Sequence, residues 1–326
     1  MDPLCHSLVG LTMGQAGLRR RTPLALPTLV LAANAPDIDV VTMFTTDVWM
    51  YYRRGWTHGP VAMAVLPIAL TGLMMAWDGL VRRRLAPSAP PARPGVLLGL
   101  ALLATLSHPL LDYMNSFGIR LLMPFSGRWF YGDALYIVDP WLYAILGAGA
   151  LLAFVRWRRP DGGAAAARTA RVALALAAAY VMAMFGSGLW ARQAVQAGLD
   201  RAGQQAATFM VTPVIGNPFR REVIIALGDR YEKGFVDFSP APHFRPAGYG
   251  VDTHADDPMA REAALSRVGR QYLSWARFPF FVIERTQSPP RVQLNDARYS
   301  GPMGTDGWSG AIVPVPEVPA QVAPSQ

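Results

Sequence analysis

Among its 326 residues the chain has one cysteine, Cys5, and one lysine, Lys233, and only 16% of its residues are charged. A lone cysteine excludes an intrachain disulfide and any zinc site built from a cysteine cluster. Soluble domains carry roughly 25% charged residues. The shortage here, with 52% hydrophobic residues and a mean hydropathy of +0.21, argues against an ordinary water-soluble enzyme. The formal charge of +8 is carried almost wholly by arginine. These arginines do not form a continuous basic face for nucleic acid. They occur as Arg19–Arg21, Arg82–Arg84 with Arg93, and Arg156–Arg159 with Arg168 and Arg171, each flanking an apolar run. That is the charge pattern of cytoplasmic loops in a membrane protein. Arg19–Arg21 follow the first apolar run instead of preceding it, unlike an ordinary secretory signal.

What is present is a series of apolar runs. Those at 60–81, 95–111, 140–155 and 170–190 are long enough to span a bilayer, whereas 3–18 and 23–36 fall short of the ~20 residues a span needs. Their Ala/Gly content suits close helix packing in lipid, and Pro67 predicts a kink. Beyond about residue 195 the pattern shifts. VIIAL and KGFVDF read as strands around a Gly-Asp turn, as do FPFFVIER and RVQLNDARY. Residues 256–275 read as a helix capped by Asp256 or Asp257. The expected fold is mainly α: a polytopic transmembrane helical bundle of five or six segments over 1–195, then a small extracytoplasmic α+β domain over 196–308. A disordered tail over 309–326 follows. There is no internal repeat.

Setting every arginine cluster on the cytoplasmic side brings the opposite ends of the segments to one level. Those ends carry Asp2 and His6, Asp37 and Asp39, His58, His108 and Asp112, then Asp133 and Asp139. Arg53 and Arg54 also fall on that side, against the charge rule. His108 and Asp112 are four apart in a helical pattern, so they share one face and can aim an imidazole and a carboxylate at one point. Ionisable groups at membrane depth are costly and mark function, and clustered carboxylates repel one another unless protonated or bridged by a cation. Imidazoles and carboxylates without thiolates suit zinc first, with manganese or iron as alternatives, singly or in pairs. Two other readings stay open: a hydrogen-bonded polar plug, and an ion or proton pathway. Taken singly the motifs say less. NAPDID can be a solvated helix cap and His58 an interfacial residue, His6 alone is a weaker signal still, and His243 and His254 read as surface residues of an irregular, proline-rich stretch.

Four strings carry a resemblance: CHSLVG with His6, APDID, RGWTH, and SHPLLDYMNSFGIRLLMP, in that order within the first 145 residues. On these the chain resembles the bacterial membrane-bound metal-dependent hydrolase family, the YdjM-like, LexA-regulated inner-membrane proteins. The family pattern has a histidine ahead of the RG dipeptide, where this chain has Arg53. The resemblance implies a multi-pass protein of the bacterial inner membrane, and metal ligands at His6, Asp37, Asp39, His58, His108 and Asp112. An active site at the lipid boundary implies an ester or phosphoester of a lipid or envelope molecule as substrate. Asp39 or Asp133 would serve as general base, and Arg54, with Arg53 and Arg128 nearby, would hold an oxyanion. The non-enzymatic alternative is a transporter or a metal-stabilised structural subunit.

Overall fold

The computed structural model describes residues 1–326 except 47, 207, 240, 302–309 and 316–326. Its contacts divide the chain into two units. The first comprises Met1–Val40, Arg54–Leu189 and Thr212–Pro218; the second comprises Val41–Arg53, Trp190–Val211 and Phe219–Gln326.

Helix starts in the first unit follow from sequence. α1 (Pro3–Gln15), α4 (Pro60–Trp77), α6 (Pro94–Tyr113) and α7 (Pro140–Trp157) all begin with proline, whose missing N–H costs nothing in the first turn. Asp2 caps α1 by accepting from the Leu4 and Cys5 amides, and Asp139 caps α7 through Trp141 and Leu142. α2 (Ala25–Asn34) leads into a 3-10 stretch, Ala35–Phe44, and α3 is the single turn Trp49–Tyr52. α4 runs through Pro67 without a break. It continues through a π turn, Asp78–Arg82, and α5 (Arg83–Leu85). α8 (Gly163–Ala202) is far longer than the apolar run at 170–190.

Among the described residues four helices are long and apolar enough to cross a membrane: Pro60–Leu85, Pro94–Tyr113, Pro140–Trp157 and Gly163–Ala202. This corrects the expected five or six segments. At 1.5 Å per residue α1 and α2 reach only about 20 and 15 Å, against about 30 Å of hydrocarbon. They pack inside the unit instead. A Cβ on Gly10 of α1 would stand 2.7 Å from the Leu29 carbonyl oxygen of α2, so the two backbones touch. Ala25, Ala32 and Ala33 of α2 bury against Leu100, Ala101 and Ala104 of α6. The spans turn large apolar side chains outward, Val65, Ile68 and Leu73 on α4 and Leu102, Leu106 and Leu110 on α6 among them. That exterior requires lipid. The arginine clusters gather at one end of the unit. Arg19 lies over the Trp157 ring, Arg171 donates to the Ala16 carbonyl, and the Arg93 amide donates to Thr22.

Beyond α8 the chain forms two sheets. β1 (Thr208–Val214), β2 (Asn217–Leu227), β3 (Arg230–Asp237) and β4 (His243–Asp252) form one in that order, with β2–β3 and β3–β4 antiparallel. Gly228, at φ +61°, turns β2 into β3. β2 buries both faces. Val223 and Ile225 pack on Ala191, Val195 and Leu199 of α8, while Ile224 and Ala226 pack on Phe278 and Phe280. This is why VIIAL reads as an unbroken apolar run.

β5 (Pro279–Glu284), β6 (Arg291–Asp296) and β7 (Ala311–Pro314) form the second sheet. β7 corrects the disordered tail. Residues 311–314 alternate buried and exposed and pair with β6; 316–326 lie outside the described residues. The helix expected over 256–275 is two, α9 (Pro258–Leu265), capped by Asp257, and α10 (Arg267–Trp275), capped by Ser266. Ser266 breaks the run because its extended backbone lets its hydroxyl accept from the Gly269 amide. The stretch holding His243 is likewise a strand, β4, and not irregular, while His254 is exposed.

Candidate metal centre

The start of α4 and the end of α6 lie at one level, since Met74 near the other end of α4 packs on Leu97 near the start of α6. His58 therefore meets His108. Gly59 allows the turn into α4, because any Cβ there would collide with the Met123 carbonyl oxygen at 1.9 Å. α2 packs along α6 and hands the chain to the 3-10 stretch, which delivers Asp37 and Asp39.

Asp37, His58, His108 and Asp112 are all buried, and each offers a ligand atom within 4.8 Å of the others. His58 Nε2 stands 3.1 Å from His108 Nε2. Asp112 Oδ2 lies 3.4 Å from the first and 3.5 Å from the second, and Asp37 Oδ1 lies 3.8 Å from His108 Nε2. The other ring nitrogens define the tautomers. His108 Nδ1 is 2.6 Å from the Ala33 carbonyl oxygen, which can only accept, so Nδ1 carries the proton. Thr57 Oγ1 donates to Asp39 Oδ2 at 3.0 Å and so has lone pairs left for His58 Nδ1–H at 2.9 Å. Both Nε2 atoms are then bare and face each other. Such a pair needs a cation, either a proton or a metal ion. Backbone and carboxylate partners on the outer nitrogens are the usual support of metal-binding histidines.

The remaining residues surround this group. His6 stacks on His108, with ring centroids 3.7 Å apart, and its Nε2 lies 3.3 Å from Asp112 Oδ1; neither ring nitrogen has a hydrogen-bond partner. Asp39 does not join the four. It accepts from the Arg54 amide at 2.7 Å and sits 3.5 Å from His58 Nδ1, where it orients the imidazole. The Arg54 guanidinium is buried, with Nε 2.8 Å from Asp112 Oδ2, Nη1 2.7 Å from Asn115 Oδ1 and the Phe117 ring beneath it. Asp112 also accepts from the Met1 amino group. The pocket's nitrogen and oxygen donors fit a divalent ion.

Asp133 is buried on a segment whose neighbours Gly132 and Ala134 donate to the Tyr113 and Met114 carbonyls, beside Asp112. Asp139 is committed elsewhere, to the α7 cap and the Tyr180 hydroxyl. Arg53 groups with the second unit, and Arg128 lies over the Phe130 ring. Sequence reasoning passed over Thr57, although it sits inside RGWTH. The Ala33 carbonyl has no sequence signal, because any residue supplies one.

Residues 1–194 match the family model described as YdjM inner membrane protein. The chain belongs to the YdjM inner membrane protein family. The match takes in every residue of the centre and all but the last turns of α8. With its four candidate spans, this YdjM-family chain is a multi-pass membrane protein. No curated protein and no solved structure matches it.

Proposed function

We propose that this protein is a metal-dependent hydrolase acting at the membrane boundary on an ester or phosphoester of a lipid or envelope molecule, with zinc as the metal. The observation that carries the reading is the buried group of Asp37, His58, His108 and Asp112, whose ligand atoms lie within 4.8 Å of one another, with the two Nε2 atoms 3.1 Å apart. Those four would hold the ion, with His6 beside the second oxygen of Asp112. When bound, a divalent ion supplies Lewis acidity that brings the pKa of water towards about 7, giving a nucleophile at neutral pH.

The chain's own residues would do the rest. Asp39 and Thr57 hold His58 in its Nδ1–H tautomer. Arg54 places a positive charge beside Asp112, where a developing oxyanion would need it, and Asn115 Nδ2, buried and without a hydrogen-bond partner, is a second donor. With Asp39 engaged in positioning, Asp133 is the better candidate to accept the proton. A cytoplasmic arginine end would place the centre and the second unit on the extracytoplasmic side. Reporter fusions after residues 88 and 163 should then read cytoplasmic and those after 125 and 230 extracytoplasmic; the inverse pattern overturns the orientation.

The central test is metal content and turnover of the purified full chain, using labelled phospholipids and generic phosphoesters with and without chelator. Stoichiometric zinc lost in His108→Ala, with turnover lost in Asp112→Ala and under chelator, is expected. If wild type, Asp112→Ala and His58→Ala are indistinguishable on every substrate while metal persists, the centre is a metal-stabilised structural element instead.

A further inference from the structure

Asp37 of the centre also lines a groove. Between α2, the start of the 3-10 stretch and α4 lies an apolar cleft of about 560 Å³, walled by Leu31, Ile38, Leu66, Ala69, Leu70 and Leu73. That volume falls in the range of ligand pockets, roughly 300–1,000 Å³. Leu66 to Leu73 is seven residue steps of helix, about 10 Å of groove length. The cleft has a polar end: Asn34 and Asp37 line it, and Asp37 is one of the four residues of the metal-capable group. Asn34 Nδ2 is committed to Ser7 Oγ and the Val30 carbonyl, while its Oδ1 is buried without a hydrogen-bond partner. Leu31, Ile38 and Leu73 are exposed on the same apolar exterior that the spans turn to lipid.

We infer that this groove seats one acyl chain of a membrane lipid, with the lipid's polar linkage placed at the Asn34–Asp37 end, where an ion held by the metal-capable group would meet its oxygens. The inference rests on the hydrolase reading for what happens to that linkage, but the tail site stands or falls separately. Its profile is that of an amphiphile, with a run of aliphatic wall ending in a buried acceptor and a carboxylate. A polar, soluble phosphoester would leave the aliphatic walls unused. A helix from a partner protein or a second copy would cover them without needing the polar end.

The test uses the full chain in phosphatidylglycerol–phosphatidylethanolamine vesicles containing a phospholipid with a photoreactive diazirine in its acyl tail. Crosslinked peptides are mapped by mass spectrometry. Ala69→Trp fills the groove; Ile68→Trp, on the lipid-facing side of α4 outside it, is the control. Labelling of residues 31–38 should fall about tenfold in Ala69→Trp, the equivalent of two lost buried methylenes, and stay within twofold in Ile68→Trp. Equal labelling in all three proteins, or crosslinks from this segment to another polypeptide, overturns the tail site. Turnover of an ester series of increasing chain length separates the two readings. If Ala69→Trp lowers kcat/KM for long-chain esters alone, both hold. If labelling follows the groove but no ester of any length turns over, the lipid site stands and the hydrolytic reading falls.

Discussion

The two units of this chain place most of their charge differently. The first buries Asp37, Asp39, Asp112, its three imidazoles and Arg54, and shows leucine, valine and isoleucine outward. The second packs Val223, Ile225 and Val236 inward and sets most of its ion pairs at its surface, Arg220 and Arg245 on Asp237, Arg230 on Asp252, Arg261 on Asp256, with Arg298 on Asp296 the buried exception. Each arrangement follows from its solvent. In lipid an apolar exterior costs nothing and polar groups must find partners inside. In water the apolar groups hide, and exposed pairs contribute little. A buried cluster that gathers two imidazole nitrogens and two carboxylates within ligand distance is therefore a costlier feature than the surface pairs.

This contrast can be broken or sharpened by substitution. The largest effect is expected in the second core. Ile225→Ala should cost about 2–5 kcal/mol, read as earlier chemical unfolding with loss of hydrogen-exchange protection in β2 and β3. Metal content should be unchanged, and a parallel loss of metal would show that the centre depends on this core. Next comes Asp39→Asn, which should weaken metal binding about 10–100-fold, as expected for a residue that orients a ligand, measured by competition with a zinc chelator. Complete loss, equal to that of Asp112→Ala, would make Asp39 a ligand after all.

The smallest effect is expected at the surface. Arg220 and Arg245 hold the Asp237 carboxyl down to about 2. A carboxylate depressed on folding stabilises fully above its ordinary pKa of about 4, and that stability is lost as pH falls towards 2. Asp237→Asn should cost at most about 1 kcal/mol at neutral pH and flatten the acid limb of the stability curve between pH 4 and 2. An unchanged acid limb would show that this pair contributes nothing there.

Composition and periodicity by themselves determined that this is a membrane chain with a β-rich C-terminal part. The apolar runs, the arginine clusters between them and the X-Pro helix starts are local properties, readable one segment at a time. His108 and Asp112 were legible for the same reason, since a spacing of four defines one helix face. What only the tertiary structure decided depends on contacts between distant segments. The alanine-lined approach of α2 to α6 brings the Ala33 carbonyl to His108 Nδ1, and so selects the tautomer that frees Nε2 for the centre. The same packing separates Asp37, within ligand distance, from Asp39, two residues on, which turns instead to the Arg54 amide and Thr57. A pattern of paired carboxylates cannot tell these roles apart, because along the chain the two residues differ only by position. Their chemistry is assigned by what folds against each.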